Sequence, residues 1–143
     1  MVKIYSKVDP SILLICIFRK SDISTERTDI SPDSEYLQVA TKKLPIGKTF
    51  APHRHNYLER TTTITQEAWV FISGKVKAQF WDLDDVQIYE TDFESGDIAV
   101  VYRGGHSFEV LEDDTILYEF KTGPYFGQSA DKTYITRQRN EKN

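Results

Sequence analysis

TQEAWVFISGKVKAQFWD, residues 65–82, is the stretch that decides the fold. Its second half alternates strictly: Val76, Ala78 and Phe80 share one face, and Lys75, Lys77 and Gln79 share the other. That is the pattern of a strand with one buried and one wet face. In the first half both faces are apolar, with Glu67, Trp69 and Phe71 on one side and Ala68, Val70 and Ile72 on the other. Such a strand lies centrally in its sheet, or packs its outer face against another subunit. The turn signal Ser-Gly-Lys separates the two.

The same vocabulary continues in both directions. Segments rich in β-branched and aromatic residues predict strands near 12–18, 35–42, 48–55, 65–73, 75–82, 86–93, 98–102, 106–112 and 114–121. The signals LPIGK, SGK, DLDD, ESGD, RGG and EDD punctuate them. Many short strands with turns at this spacing argue for an all-β sandwich or barrel. No stretch carries a sustained helical periodicity, so little helix is expected. Residues 21–35 are polar and turn-rich and read as a surface loop, and the charged end RQRNEKN reads as a frayed tail. One domain is expected over 1–143: an N-terminal strand and loop (1–35), a barrel core (36–122) and a C-terminal loop and tail (123–143).

At 143 residues the chain can bury a full core without staples. Its single cysteine, Cys16, excludes an internal disulfide framework and sits in the apolar run ILLICIF as a small hydrophobe. That run is far shorter than the roughly 20 residues a membrane span needs, and no cleavage site follows it. A formal charge of −4 offers no footprint for nucleic acid. A cytoplasmic protein that contacts neither membrane nor nucleic acid is the expectation.

All three histidines fall in two of the strand segments. His53 and His55 are one residue apart, so on a strand they point to the same side. His106 shares a face with Phe108 and Val110, which reads as the interior. If Trp69 and Phe71 mark the interior face of their strand, Glu67 points inward with them. Three imidazoles and a carboxylate converging inside a barrel would suit Fe, Mn, Ni, Cu or Zn in the divalent state.

Gly47-KTFAP-His53-R-His55, with Glu67-AWVFIS-Gly74 after it, resembles the first motif of the cupin superfamily. Gly96-Asp97-IAVVYRGG-His106 resembles the second. The similarity spans about residues 36–122. Glu59 fits the family's usual gap after H-x-H, but only Glu67 has the six-residue spacing to a glycine. The stretch NYLERTTTITQ is therefore read as containing an insertion, with Glu67 as the ligand and Glu59, beside Arg60, at the mouth or in an exposed ion pair. The second motif lacks the family's proline and final asparagine, and His106 comes one residue early.

The resemblance implies a cupin-type β-barrel, a double-stranded jelly roll of two antiparallel sheets, and one divalent transition metal (Fe, Ni, Mn or Zn) held by His53, His55, Glu67 and His106. It implies a metalloenzyme acting on a small polar molecule by oxygenase, isomerase or lyase chemistry. The alternatives are a non-catalytic ligand-binding cupin and a metal-free sugar isomerase or epimerase. Tyr102, Tyr118 and Arg60 are the candidates for substrate contact: a phenol able to move a proton, an aromatic on a late strand, and a guanidinium suited to a carboxylate or phosphate. A homodimer is expected from the two-sided apolar strand and from ILLICIF.

Overall fold

The computed structural model describes residues 1–136; the RQRNEKN tail lies outside the described residues. Among the described residues, ten strands carry the fold. They are β1 (Val2–Tyr5), β2 (Leu13–Phe18), β3 (Arg27–Asp29), β4 (Ala40–Lys42), β5 (Glu67–Ser73), β6 (Lys75–Trp81), β7 (Gln87–Glu94), β8 (Ile98–Val101), β9 (Gly105–Val110) and β10 (Ile116–Lys121). Among the described residues, helix is confined to a 3-10 turn at Lys20–Asp22 and one short helix, α1 (Gln128–Asp131). No helix among the described residues is long and apolar enough to cross a membrane.

The protein is built mainly of antiparallel β-sheet. A five-stranded sheet runs β1-β2-β8-β5-β10, a three-stranded sheet runs β7-β6-β9, and β3 pairs with β4 in a small ribbon. The two larger sheets meet face to face. Between them lie Trp69 and Phe71 from β5, Ala99 and Val101 from β8, and Val76, Ala78 and Phe80 from β6. The alternation read in 75–80 therefore holds residue by residue.

The second apolar face of β5 also has an explanation within the chain. Ala68, together with Cys16, Ile98, Val100 and Tyr102, forms a second buried cluster on the opposite face of the large sheet. Ile23, Ile30, Leu37 and Val39 cover it. Because both faces are dry, β2 and β8 read as unbroken apolar runs, as expected of strands covered on both sides. ILLICIF is thus buried between β1 and β8 of its own chain.

Polar side chains fasten that cover. Gln66, fully buried, accepts a hydrogen bond from the Leu37 backbone N–H at 2.8 Å and donates to the Glu35 carboxylate. Arg103 grips the same carboxylate at 2.9 Å, and the Tyr102 hydroxyl donates to Ser31 Oγ at 3.0 Å. Satisfied in this way, buried polar groups fix the path of segment 30–39.

Three expectations are corrected. Residues 21–35 are not a plain loop, since they include most of the 3-10 turn and all of β3. The 35–42 segment narrows to β4, whose Ala40, Thr41 and Lys42 pair with Asp29, Thr28 and Arg27. Residues 48–55 form no strand at all: they lie in an exposed stretch running from 42 to 64. A strand needs a neighbour to take up its backbone groups, and no part of the described chain pairs with these residues.

Two glycines hold conformations that side chains resist. Gly74, at φ +77°, makes the reversal between β5 and β6. Gly104 sits at φ +80° just before β9, and a Cβ there would lie 2.4 Å from the Trp81 carbonyl oxygen. The clash is with backbone, so it cannot be relieved by a rotamer change. Gly104→Ala should destabilise the protein by about 1–3 kcal/mol, measured by urea denaturation. A midpoint equal to that of the parent would show that the strand junction is not held as described.

Candidate functional site

The two sheets part at one end, where β5, β9 and β10 contribute polar side chains to an otherwise aromatic wall. The opening is a cleft of about 560 Å³, lined among others by Glu67, Trp69, Trp81, His106, Phe108 and Glu119. Glu67 is the first residue of β5, next to Lys121 at the end of β10 and Val101 at the end of β8. His106 comes from the other sheet, on β9, opposite Phe80 of β6. The face assignment made from Trp69 and Phe71 thus holds for Glu67, and the assignment with Phe108 holds for His106.

Glu67 is the electrostatic centre. Its side chain is only 6% exposed, which for a carboxylate demands partners. Trp69 Nε1–H donates to Oε1. Lys121 Nζ stands 3.1 Å from Oε2 and 2.9 Å from Glu119 Oε1, so one ammonium bridges two carboxylates. His106 Nε2 lies 3.7 Å from Oε2. Trp69 also packs edge-on against His106 and Phe108, with ring centroids 5.3 Å and 5.0 Å away. The imidazole is thereby held in place from the side. His106 Nδ1 is buried without a hydrogen-bond partner among the described residues.

Burial by itself would raise the Glu67 pKa, but its contacts with His106, Glu119 and Trp69 outweigh it. The carboxyl is held well below the usual range. Burial would lower Lys121, yet its hydrogen bonds to Glu119 and Glu67 hold it above the ordinary lysine range. Around neutral pH the cleft floor therefore carries a fixed carboxylate and a fixed ammonium.

The remaining expected residues are placed elsewhere. His53 and His55 lie on the exposed stretch, their rings 5.5 Å apart, with His53 Nδ1 3.0 Å from the Ala51 carbonyl oxygen. Glu59 and Arg60 are exposed on the same stretch. Tyr102 belongs to the cluster on the far face of the large sheet, away from the cleft, where burial pushes its phenol up. Tyr118 is more than half exposed, and its neighbours across the ladder put it on that far face as well. Of the four metal-ligand candidates, the structure brings together Glu67 and His106. Among the described residues, no group of three or more His, Cys, Asp or Glu side chains is gathered as a metal site.

The sequence reading missed Lys121 and Glu119. In ILYEFK, Tyr118 and Phe120 alternate with Glu119 and Lys121, so either set can face inward. The ladder decides, pairing Lys121 with Glu67 and Glu119 with Trp69. The available signal was a glutamate at the start of an inward-facing strand register, which calls for a cation on a neighbouring strand. Compared with protein-family models, curated proteins and solved structures, the chain matches none.

The two shifts set opposite pH limits. Glu67, depressed in the fold, contributes stability that is fully present above roughly pH 4.3 and is lost as pH falls through its folded value. Lys121, raised, contributes stability present below roughly pH 10.4 and lost only as pH climbs through its folded value. Lys121→Met should cost about 1.5–3 kcal/mol at neutral pH, and Glu67→Gln should flatten the loss of stability below pH 4. Urea denaturation across pH 2–9 reads both, and parent-like curves for the two variants would remove the pair from the stability account.

Proposed function

We propose that this chain is a cupin-type jelly-roll barrel that holds a divalent transition metal through His53, His55, Glu67 and His106 and acts on a small polar molecule in the aromatic-walled cleft. The observation that carries the reading is the approach of His106 Nε2 to Glu67 Oε2, 3.7 Å apart at the mouth of the sandwich. Two donors that each bind a cation at about 2.0–2.2 Å stand at most about 4 Å apart, so this pair fits one ion. The buried, unpartnered Nδ1 of His106 adds a polar atom with capacity to spare. The donor set, three imidazoles and a carboxylate, suits iron, nickel, manganese or zinc.

The residues divide the work. Glu67 supplies the negative charge, held ionised by its partners. Trp69 fixes the position of both that carboxylate and the His106 ring. Lys121 stands on the carboxylate as the local cation; were a metal bound by Glu67, the ammonium would remain with Glu119 or meet an anionic group of the bound molecule. Trp81 and Phe108 present flat apolar surface to a bound molecule. A metal bound here would supply Lewis-acid polarisation of a carbonyl or carboxylate oxygen, or a place for O2.

One observation favours a second reading. The Lys121 ammonium already neutralises Glu67, so the cleft is electrically complete as a metal-free ligand site in which Glu67, Lys121 and His106 bind a polar molecule or exchange protons with it. Elemental analysis of protein purified without an affinity tag separates the two. About one equivalent of transition metal per chain is expected. Alanine at His53, His55, Glu67 or His106 should each remove most of it, Glu59→Ala should leave it, and Lys121→Met should keep or raise it. If Glu59→Ala loses the metal while Glu67→Ala keeps it, the carboxylate assignment is reversed. Protein that cannot be loaded with iron, nickel, manganese or zinc leaves the metal-free reading.

A further inference from the structure

We propose that the arm of residues 42–64 crosses to a second copy of the chain, so that His53 and His55 of one protomer complete the cleft formed by Glu67 and His106 of the other. The inference deepens the reading above and rests on it for the identity of the completed site.

The arm is exposed without a break from 42 to 64. Most of its apolar surface is open: Ile46 is 105% and Tyr57 107% exposed, Leu58 is more than half exposed, and Phe50, also more than half exposed, meets only the ammonium groups of Lys42 and Lys48. These four bracket the histidine pair on both sides. Neither buried cluster contains any residue of the arm, and both are closed without it. The apolar surface of the arm is therefore surplus to the chain's own fold, and its burial would drive association rather than folding.

A receiving surface is present on the same molecule. β9 pairs only with β6 and β10 only with β5 among the described residues, so the two strands flanking the cleft each leave one edge without a partner. Exposed apolar side chains accompany those edges: Val110 at the end of β9 and Ile116 on β10, with Tyr118 and Phe120 on the far face of the same strand. An extended segment docking beside β9 satisfies backbone groups on both sides. It would also run alongside His106, the residue the arm's histidines must reach.

The outgoing side of the arm is held by the β3–β4 ribbon, while Ile64 at its return end lines the chain's own cleft. Lys48 is held to Glu26 at 2.5 Å, beside the β3–β4 ribbon that adjoins the cover on the far face of the large sheet. On the return side Thr63 Oγ1 meets the Tyr36 hydroxyl at 3.0 Å. Both roots are fixed while the middle reaches outward. Because every copy carries both an arm and a receiving edge, two copies can exchange arms reciprocally about a two-fold axis. The arm alone approaches the roughly 20–30 residues per side of a standard stable interface.

The test combines size with metal content. Sedimentation at micromolar concentration should give a dimer, and Ile46→Ser/Tyr57→Ser/Leu58→Ser should shift it to a folded monomer. Two double variants, His53→Ala/His55→Ala and Glu67→Gln/His106→Ala, are then co-expressed with different tags and the mixed dimer is isolated. Each variant alone should hold almost no metal. The mixed dimer should hold about one equivalent, because one intact arm meets one intact cleft. A mixed dimer without metal, where the parent protein binds it, shows that the histidines serve their own chain and overturns the proposal. So does a parent protein that is monomeric, or a dimer that survives the triple substitution. A parent that dimerises through the arm but binds no metal overturns the metal reading alone and leaves the exchange standing.

Discussion

The constraint on which the rest of the structure depends is that β5 must be buried on both faces. Trp69 and Phe71 require a second sheet on one side, and Ala68 and Val70 require a cover on the other. The three-stranded sheet meets the first demand and segment 23–39 the second. Both are covalently part of the same chain, and they bury Ala68 and part of Val70, while Ile72 near the end of the strand stays exposed. Once β5 is central, its neighbours β8 and β10 are placed by the antiparallel ladder, and Glu67 is carried to the open end of the sandwich.

At that end the cost of burying a charge shapes the chemistry. A carboxylate 6% exposed is tolerated only with counter-charge and donors close at hand. Trp69, Lys121 and His106 supply them from three directions and two sheets. The result is a preorganised site, since each of these groups is locked by another contact: Trp69 by Phe108, Lys121 by Glu119 and His106 by Trp69. The same arrangement keeps a carboxylate and an ammonium ionised together over a wide pH range, which suits recognition of a polar molecule.

Much of the fold was legible because period-two alternation is a local signal. β2, β5, β6, β7, β8, β9 and β10 stand within two residues of where apolar alternation and turn residues put them, and the face carrying Glu67 and Trp69 was read correctly. β1 and β3 were not seen. Their residues, VKIY and RTD, carry too little apolar pattern, and their strand state comes from pairing with β2 and β4. The site was legible in part. Glu67 and His106 could be placed from their strands' faces. Lys121 and Glu119 could not, because the hydrophobic pattern of ILYEFK is satisfied either way and the ladder with β5 makes the choice.

The sequence by itself determined the all-β character, seven of the strands, the turns at Gly74 and Gly96, and the inward direction of Glu67 and His106. These follow from residue type and spacing within a few positions of chain. Only the tertiary structure decided which strands neighbour one another, that the chain covers its own second apolar face, that an ammonium stands on Glu67, and that the histidine pair lies on an exposed arm rather than a strand. Those are long-range outcomes. A strand exists only when its backbone groups find a partner, and the partner's identity is a property of the packed molecule rather than of the segment.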